Sequence, residues 1–115
     1  MPKPRRGEIY WVDYEPARGS EQGGRRPALI VQNDRGNNSS PCTVVAAISS
    51  ATIAKPYPFV VPVAAGEGGL SHGGHVNCSQ LRTVDQSRLE RRLGRLSADR
   101  MREVAAALKY ELALD

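Results

Sequence analysis

The stretch "GSEQGGRRPALIVQND", Gly19 to Asp34, places Arg25 and Arg26 where a glycine-rich segment enters an apolar run. Arginine is charged at any physiological pH, and its planar fork of donors suits the oxygens of a phosphate. At the start of a strand, successive side chains point to opposite faces, so one arginine of the pair faces inward and the other outward. Either can bind an anion, or can form an ion pair with Glu21 or Asp34. Ser49 closes a second apolar run, Ala46-Ala47-Ile48. A hydroxyl there can bond a phosphate oxygen or a ribose 2′-OH, or it can satisfy its own local backbone. Gln80 and Arg82, two apart, share a face if their segment is a strand, and could add donors to the same anion site.

The histidines are a weaker signal. His72 and His75 in "LSHGGHVNC" have H-x-x-H spacing, with Cys78 three residues on. Zinc is conceivable, but three ligands separated by glycines match no standard structural set. An acid–base pair is conceivable too, since imidazole titrates near neutrality, and so are loop histidines with no such role. The patterns GxxxxGK[ST], HExxH and CxxC are absent, so neither a nucleotide P-loop nor a zinc protease helix is indicated.

The elements that must hold these residues read as follows. Glu8 to Tyr14, "EIYWVDY", is β-branched and aromatic and predicts a strand. A loop from Glu15 to Gly24 precedes a second strand from Pro27 to Gln32, whose first position tolerates proline. "NDRGNNSSP", Asn33 to Pro41, is dense in turn residues and reads as a loop. Thr43 to Ser50, Tyr57 to Val63 and His75 to Val84 read as further strands, with Ala64 to Gly74 a loop between the last two. Arg91 to Ser97 adds a short sixth. Ser97 then caps a helix, along which Met101, Val104, Ala105, Leu108 and Leu112 recur at helical spacing. Five or six short strands followed by one amphipathic helix predict an α+β, β-rich fold: a small, strongly bent sheet or barrel with the helix against one side.

The 115 residues suit one domain spanning 1–115, with no repeat and no internal linker. Sixteen Lys+Arg against twelve Asp+Glu give a formal charge of +4, and the pI is near 9.4. That balance favours an anionic partner such as nucleic acid or an acidic protein segment. Two cysteines without CxxC spacing do not make a disulfide scaffold. The N-terminus lacks the apolar stretch of a signal peptide, and the apolar runs are too short for a membrane span. The expectation is a cytoplasmic protein with reduced thiols and no membrane partner.

As an ordered set, these motifs are familiar. "RGEIYWVDYEPARGSEQGGRRPALIVQND", Arg6 to Asp34, closely resembles the opening of the MazF/PemK-type toxins of bacterial toxin–antitoxin systems, and "TVVAAISS" and "SQLRTVDQSRL" resemble that family's later strands. The resemblance covers nearly the whole chain and is weakest from Ala51 to Val76. It implies an SH3-like (CcdB/PemK-like) barrel of five to seven strands, a homodimer, and a sequence-specific endoribonuclease acting on single-stranded RNA without a metal or other cofactor. The ribose 2′-OH would attack the adjacent phosphate, leaving a 2′,3′-cyclic phosphate and a 5′-hydroxyl. A cognate MazE-like antitoxin with an acidic C-terminal segment would block the RNA groove. Carried over position by position, the family's essential arginine before proline falls on Arg26, and its hydroxyl partner on Ser49, where many members have threonine. Glu21, Gln22 and Gln80 match positions lining the family's RNA groove or dimer-linked site. Arg25 would then face out, steering RNA or pairing with an acid. A guanidinium with a pKa above about 12 is a poor general base, so Glu21 and His75 are the alternatives for that role.

Two other readings share parts of this pattern. CcdB-type toxins have a similar architecture and bind gyrase without cutting RNA, but such binding needs no phosphate pocket. A non-catalytic RNA-binding barrel would stack bases on aromatic rings, and this chain has only six Phe, Trp and Tyr residues.

Overall fold

The structure, a computed structural model, describes residues 2–15, 23–51 and 55–115. Glu21 and Gln22 lie outside these segments. Six antiparallel strands form one sheet: β1 (Glu8–Asp13), β2 (Arg25–Ile30), β3 (Cys42–Ser49), β4 (Val60–Val63), β5 (Gly74–Asp85) and β6 (Leu89–Arg95), in the spatial order β4-β5-β3-β2-β1-β6. Two helices complete it: α1 (Asp34–Ser39) and α2 (Ala98–Glu111).

Alternation along the strands creates two apolar faces. Ile9 pairs with Leu29 and Leu29 with Ala46; these residues join Ile48, Val76 and the α2 residues Val104 and Ala107 in the larger core. On the reverse face Val12, Ala28, Ile30, Val45 and Val84 pack with Tyr14. Burying a side chain of this size contributes roughly 1.5–3 kcal/mol, so a one-residue slip of any central strand would expose a whole row.

The two ends of the sheet, β4 and β6, do not pair with each other, so the sheet is open rather than a closed barrel. They are joined instead by backbone packing. The β4–β5 connection makes a tight 3-10 turn, Glu67–Gly69, that lies against β6. A Cβ on Gly69 would sit 2.0 Å from the Leu93 carbonyl oxygen, and one on Gly94 would sit 2.6 Å from the Gly68 carbonyl carbon. No side chain fits at either position. Gly68 and Gly69 also have positive φ, 60° and 80°, which an L-residue with a side chain adopts only under strain. Arg100 of α2 pins the turn from the other side, its Nε and Nη2 donating to Glu67 Oε2 and Oε1 at 2.8 and 2.9 Å.

Five local expectations need correction. The turn-rich stretch after Asn33 is not all loop. The Asn33 side chain accepts from the Gly36 amide at 2.8 Å and caps α1, and Asp34 in the first turn favours the helix dipole. Asn37 on that helix is fully buried, accepting from Thr43 Oγ1 at 2.7 Å and donating to the Gln32 carbonyl at 3.1 Å. β2 begins at Arg25, two residues before Pro27, and β6 at Leu89 rather than Arg91. Only Val60–Val63 of the 57–63 stretch is strand, and Tyr57 instead stacks on Phe59 with ring centroids 5.3 Å apart. Leu112 lies past the end of α2 as its C-cap and is half exposed, because the helix stops before the apolar spacing does.

Candidate functional site

The site forms where two central strands part. β2 pairs with β3 only over Ala28–Ile30. Pro27 has no amide hydrogen to continue the ladder, and a proline is tolerated there because β2 is bonded on one side only. Beyond Ala28 and Ala47 the strand ends therefore diverge. A cleft of about 530 Å³ opens between them, lined by Arg25, Arg26 and Pro27 of β2 and by Ile48, Ser49 and Ser50 on the β3 side. Trp11 of β1 and Leu93 of β6 add apolar wall, and the segment Gly69–Gly74 closes the remaining side.

The register assigns faces. Ala28 opposite Ala47, carried two residues further, sets Arg26 across from Ser49. Ser49 in turn pairs with His75 on β5. Arg26, Ser49 and His75 thus form a row across three strands, on the face that carries Val12. Arg25 falls on the other face, opposite Asp13.

The two arginines have different partners. Arg25 Nε donates to both carboxylate oxygens of Glu90 at 2.9 and 3.0 Å, so its ion pair is with neither Glu21 nor Asp34. Asp34 instead accepts from the Arg6 amide at 2.7 Å, and this bond holds its carboxyl below the usual range. Arg26 Nε donates to the Gly23 carbonyl at 3.0 Å. Among the described residues Arg26 makes no ion pair. One bond fixes the base of its guanidinium, and among the described residues its terminal nitrogens make no hydrogen bond.

Ser49 Oγ accepts from the Ala51 amide at 3.1 Å. The local backbone bond anticipated for a strand-ending serine is therefore present. It uses only a lone pair, so the hydroxyl proton is still available to an oxygen in the cleft.

The remaining sequence candidates are dispersed. Gln80 is exposed and lies in a β5 bulge, where Ala46 pairs with Leu81 but Ala47 with Asn77. Arg82 Nη1 donates to the Tyr14 carbonyl at 3.3 Å, and its guanidinium lies over the Tyr14 ring, 5.3 Å from the centroid. Neither lines the cleft. The Tyr14 hydroxyl is buried without a hydrogen-bond partner. Burial pushes this phenol up to about 12, against the opposing fields of Arg82 and Arg26. His72 is on the cleft rim. His75 is buried with Nδ1 unpartnered. Cys78 is in the core, where burial raises its thiol to about 11. Among the described residues no three His, Cys, Asp or Glu side chains gather as a metal site, and no helix is long and apolar enough to cross a membrane.

Sequence reasoning missed Arg91, Trp11 and the 69–74 wall. Their only sequence signals were an isolated charge, a strand aromatic and a glycine-rich loop, none of which shows where it packs.

The model of the PemK-like, MazF-like toxins of type II toxin–antitoxin systems matches residues 5–112. The chain belongs to this family. It is 40% identical over 110 residues to Endoribonuclease MazF of Staphylococcus saprophyticus, covering 96% of this chain and 92% of that relative. Its fold superposes on MazF from Deinococcus radiodurans with a TM-score of 0.82 at 32% identity, covering 98% of this chain and 99% of that one. A mycobacterial endoribonuclease solved in complex with its cognate antitoxin superposes with a TM-score of 0.81 at 26% identity, over 97% of each chain. Membership of the PemK/MazF-like family accords with the fold expected from the sequence, as an open six-stranded sheet with a C-terminal helix.

Proposed function

We propose that this PemK/MazF-like toxin is a cytoplasmic, sequence-specific endoribonuclease that cleaves single-stranded RNA, with Arg26 and Ser49 at its catalytic centre. The observation that carries the reading is the pairing of a cation outside any described ion pair with a hydroxyl on the parted ends of β2 and β3. The 40% identity to an endoribonuclease over almost the whole chain supports it.

The chemistry follows from the donors present. The ribose 2′-hydroxyl gives up its proton as its oxygen attacks the adjacent phosphorus, the bond to the 5′-oxygen breaks and that oxygen takes up a proton, and negative charge builds on the non-bridging oxygens. Arg26, held through Nε, aims a fixed positive charge at those oxygens. A preorganised donor of this kind typically stabilises the transition state by about 2.7–4 kcal/mol. Ser49, held by the Ala51 amide, donates its proton to one of the same oxygens and keeps the phosphate in line. The products are a 2′,3′-cyclic phosphate and a 5′-hydroxyl.

The active form in this reading is a homodimer, for which Tyr110, Leu112 and Leu114 at the end of α2 offer exposed apolar surface. Its regulator is a MazE-like antitoxin, as in the antitoxin-bound structures of MazF from Deinococcus radiodurans. An acidic antitoxin segment suits a cleft with three lining arginines and no lining carboxylate.

The decisive experiment incubates the protein with long single-stranded RNA in EDTA, then maps the cut sites and their end groups. Discrete cuts with cyclic-phosphate ends that disappear in Arg26→Ala are the expected result. Intact RNA from a folded protein would refute the reading and favour gyrase binding or passive RNA binding.

A further inference from the structure

The pairing of β1 with β6 contains an irregularity at the cleft. Tyr10 pairs with Arg92 and Val12 with Leu89. A single β1 residue, Trp11, therefore stands opposite two residues of β6, Glu90 and Arg91. Such a bulge re-aims side chains that regular alternation would send elsewhere. Here it separates two neighbours of opposite charge. Glu90 turns to Arg25 and accepts its Nε–H on both carboxylate oxygens, while Arg91 lines the cleft.

The cleft contains Arg25, Arg26, Arg91 and the rim residue His72, and no carboxylate among its lining residues. Glu90 neutralises Arg25. Arg26 and Arg91 make no ion pair among the described residues. They are carried by β2 and β6, which flank β1 in the sheet, so their backbones lie two strand spacings apart, roughly 10 Å. Trp11 of β1 pairs with Pro27 and shares the Arg91 side of the sheet, whereas Arg26, opposite Val12, borders the cleft from the parted end of β2. Two cations so separated do not converge on one phosphate. They suit two phosphates of one extended strand.

We infer that Arg91 is a second phosphate-binding residue, holding another phosphate of the RNA strand engaged by Arg26 and Ser49. This rests on the endoribonuclease reading and adds a positioning contact to it: Arg91 fixes where the strand lies and touches no reacting atom.

The test measures binding of a short mixed-sequence 2′-O-methyl RNA, which lacks the attacking hydroxyl, across a series of salt concentrations. Arg91→Ala is expected to weaken binding about tenfold at low salt and to reduce the magnitude of the log–log salt slope by about 0.7, the value for one lost phosphate contact on a single strand. Arg91→Lys retains the charge and should recover the slope. Glu90→Gln releases Arg25 and should steepen it. Arg102→Ala removes an exposed arginine paired with Asp99 on α2 and should leave the slope unchanged, separating a local contact from net charge. In cleavage assays Arg91→Ala should raise KM far more than it lowers kcat. A wild-type salt slope in Arg91→Ala overturns the assignment, while RNA cleavage by the wild type in EDTA would leave the nuclease reading standing. If Arg91→Ala weakens binding of poly-glutamate but not of RNA, the residue serves an acidic peptide and the inference fails. If the wild type neither binds nor cuts RNA, both readings fall together.

Discussion

Arg26 and Ser49 stand across from each other on β2 and β3 at the point where those strands have ceased to pair, two residues beyond the Ala28–Ala47 pair. Each is held by one short-range bond, Arg26 to the Gly23 carbonyl and Ser49 to the Ala51 amide. Neither side chain is part of either apolar core. Arg26→Ala should therefore lower RNA cleavage by about 10²–10³-fold or more with little change in the urea midpoint. Ser49→Ala should cost about tenfold or more, and Ser49→Thr should retain most activity because the hydroxyl stays. Single-turnover cleavage beside equilibrium unfolding separates the two effects, and an Arg26→Ala variant as active as the wild type would remove the central assignment.

Gly74 governs the backbone behind Ser49. A Cβ at Gly74 would lie 2.1 Å from the Ser49 carbonyl oxygen, so Gly74→Ala must push the β3 end away from β5. The expected result is a stability loss of about 1–3 kcal/mol together with a fall in cleavage larger than that of Gly66→Ala. Gly66 is the control because an added Cβ there meets no neighbour within 4 Å, so its cost comes only from its own positive φ of 93°. Thermal melts and cleavage rates on both variants check this.

The Glu67–Arg100 bridge gives the protein an acid sensitivity of known sign. Hydrogen bonds from Arg100 and from the Ala64 amide lower the Glu67 carboxyl from 4.5 to about 2. A carboxylate with a depressed folded-state pKa contributes its stability in full above the unfolded value and loses it as the pH falls through the folded one. The pair is about one-quarter exposed, so its contribution at neutral pH is about 1 kcal/mol rather than the larger figure the shift alone implies. Glu67→Gln should be less stable than the wild type at pH 7 by that amount, and the two should converge between pH 4.5 and 2. Urea unfolding at several pH values measures the difference, and a constant gap across that window would contradict the bridge.

Tyr14 presents the reverse case. Its buried hydroxyl has no hydrogen-bond partner, and removing an unsatisfied polar group is neutral or stabilising. Tyr14→Phe should raise stability by about 0–1 kcal/mol at pH 7. The phenol is pushed from 10 up to about 12 in the folded chain, so its neutral form favours folding. That contribution is complete below pH 10 and is lost as the pH rises through 12. Alkaline unfolding of Tyr14→Phe should accordingly lack the step that the wild type shows in that interval.

What could be read from the chain and what could not divide along physical lines. Strands such as Glu8–Asp13 were legible because the alternation of Ile9 and Val12 between two buried faces is local information. α2 was legible from the Ser97 cap and the spacing of Met101, Val104 and Leu108. Arg26 and Ser49 were legible as a pair only through family resemblance. By contrast α1 was hidden because Asn and Asp favour both turns and helix caps. The Arg25–Glu90 ion pair and the role of Arg91 were hidden because they depend on a bulge between β1 and β6, strands far apart in sequence and adjacent only after folding.

That adjacency bears on how the protein is made. The cleft draws Trp11 from the first strand and Arg91 and Leu93 from the last, and β1 is bonded to β6 in the sheet. During synthesis the amino-terminal strand emerges long before its neighbour, so an incomplete chain still on the ribosome lacks one wall of the cleft. The cleft is complete only when β6 has cleared the exit tunnel.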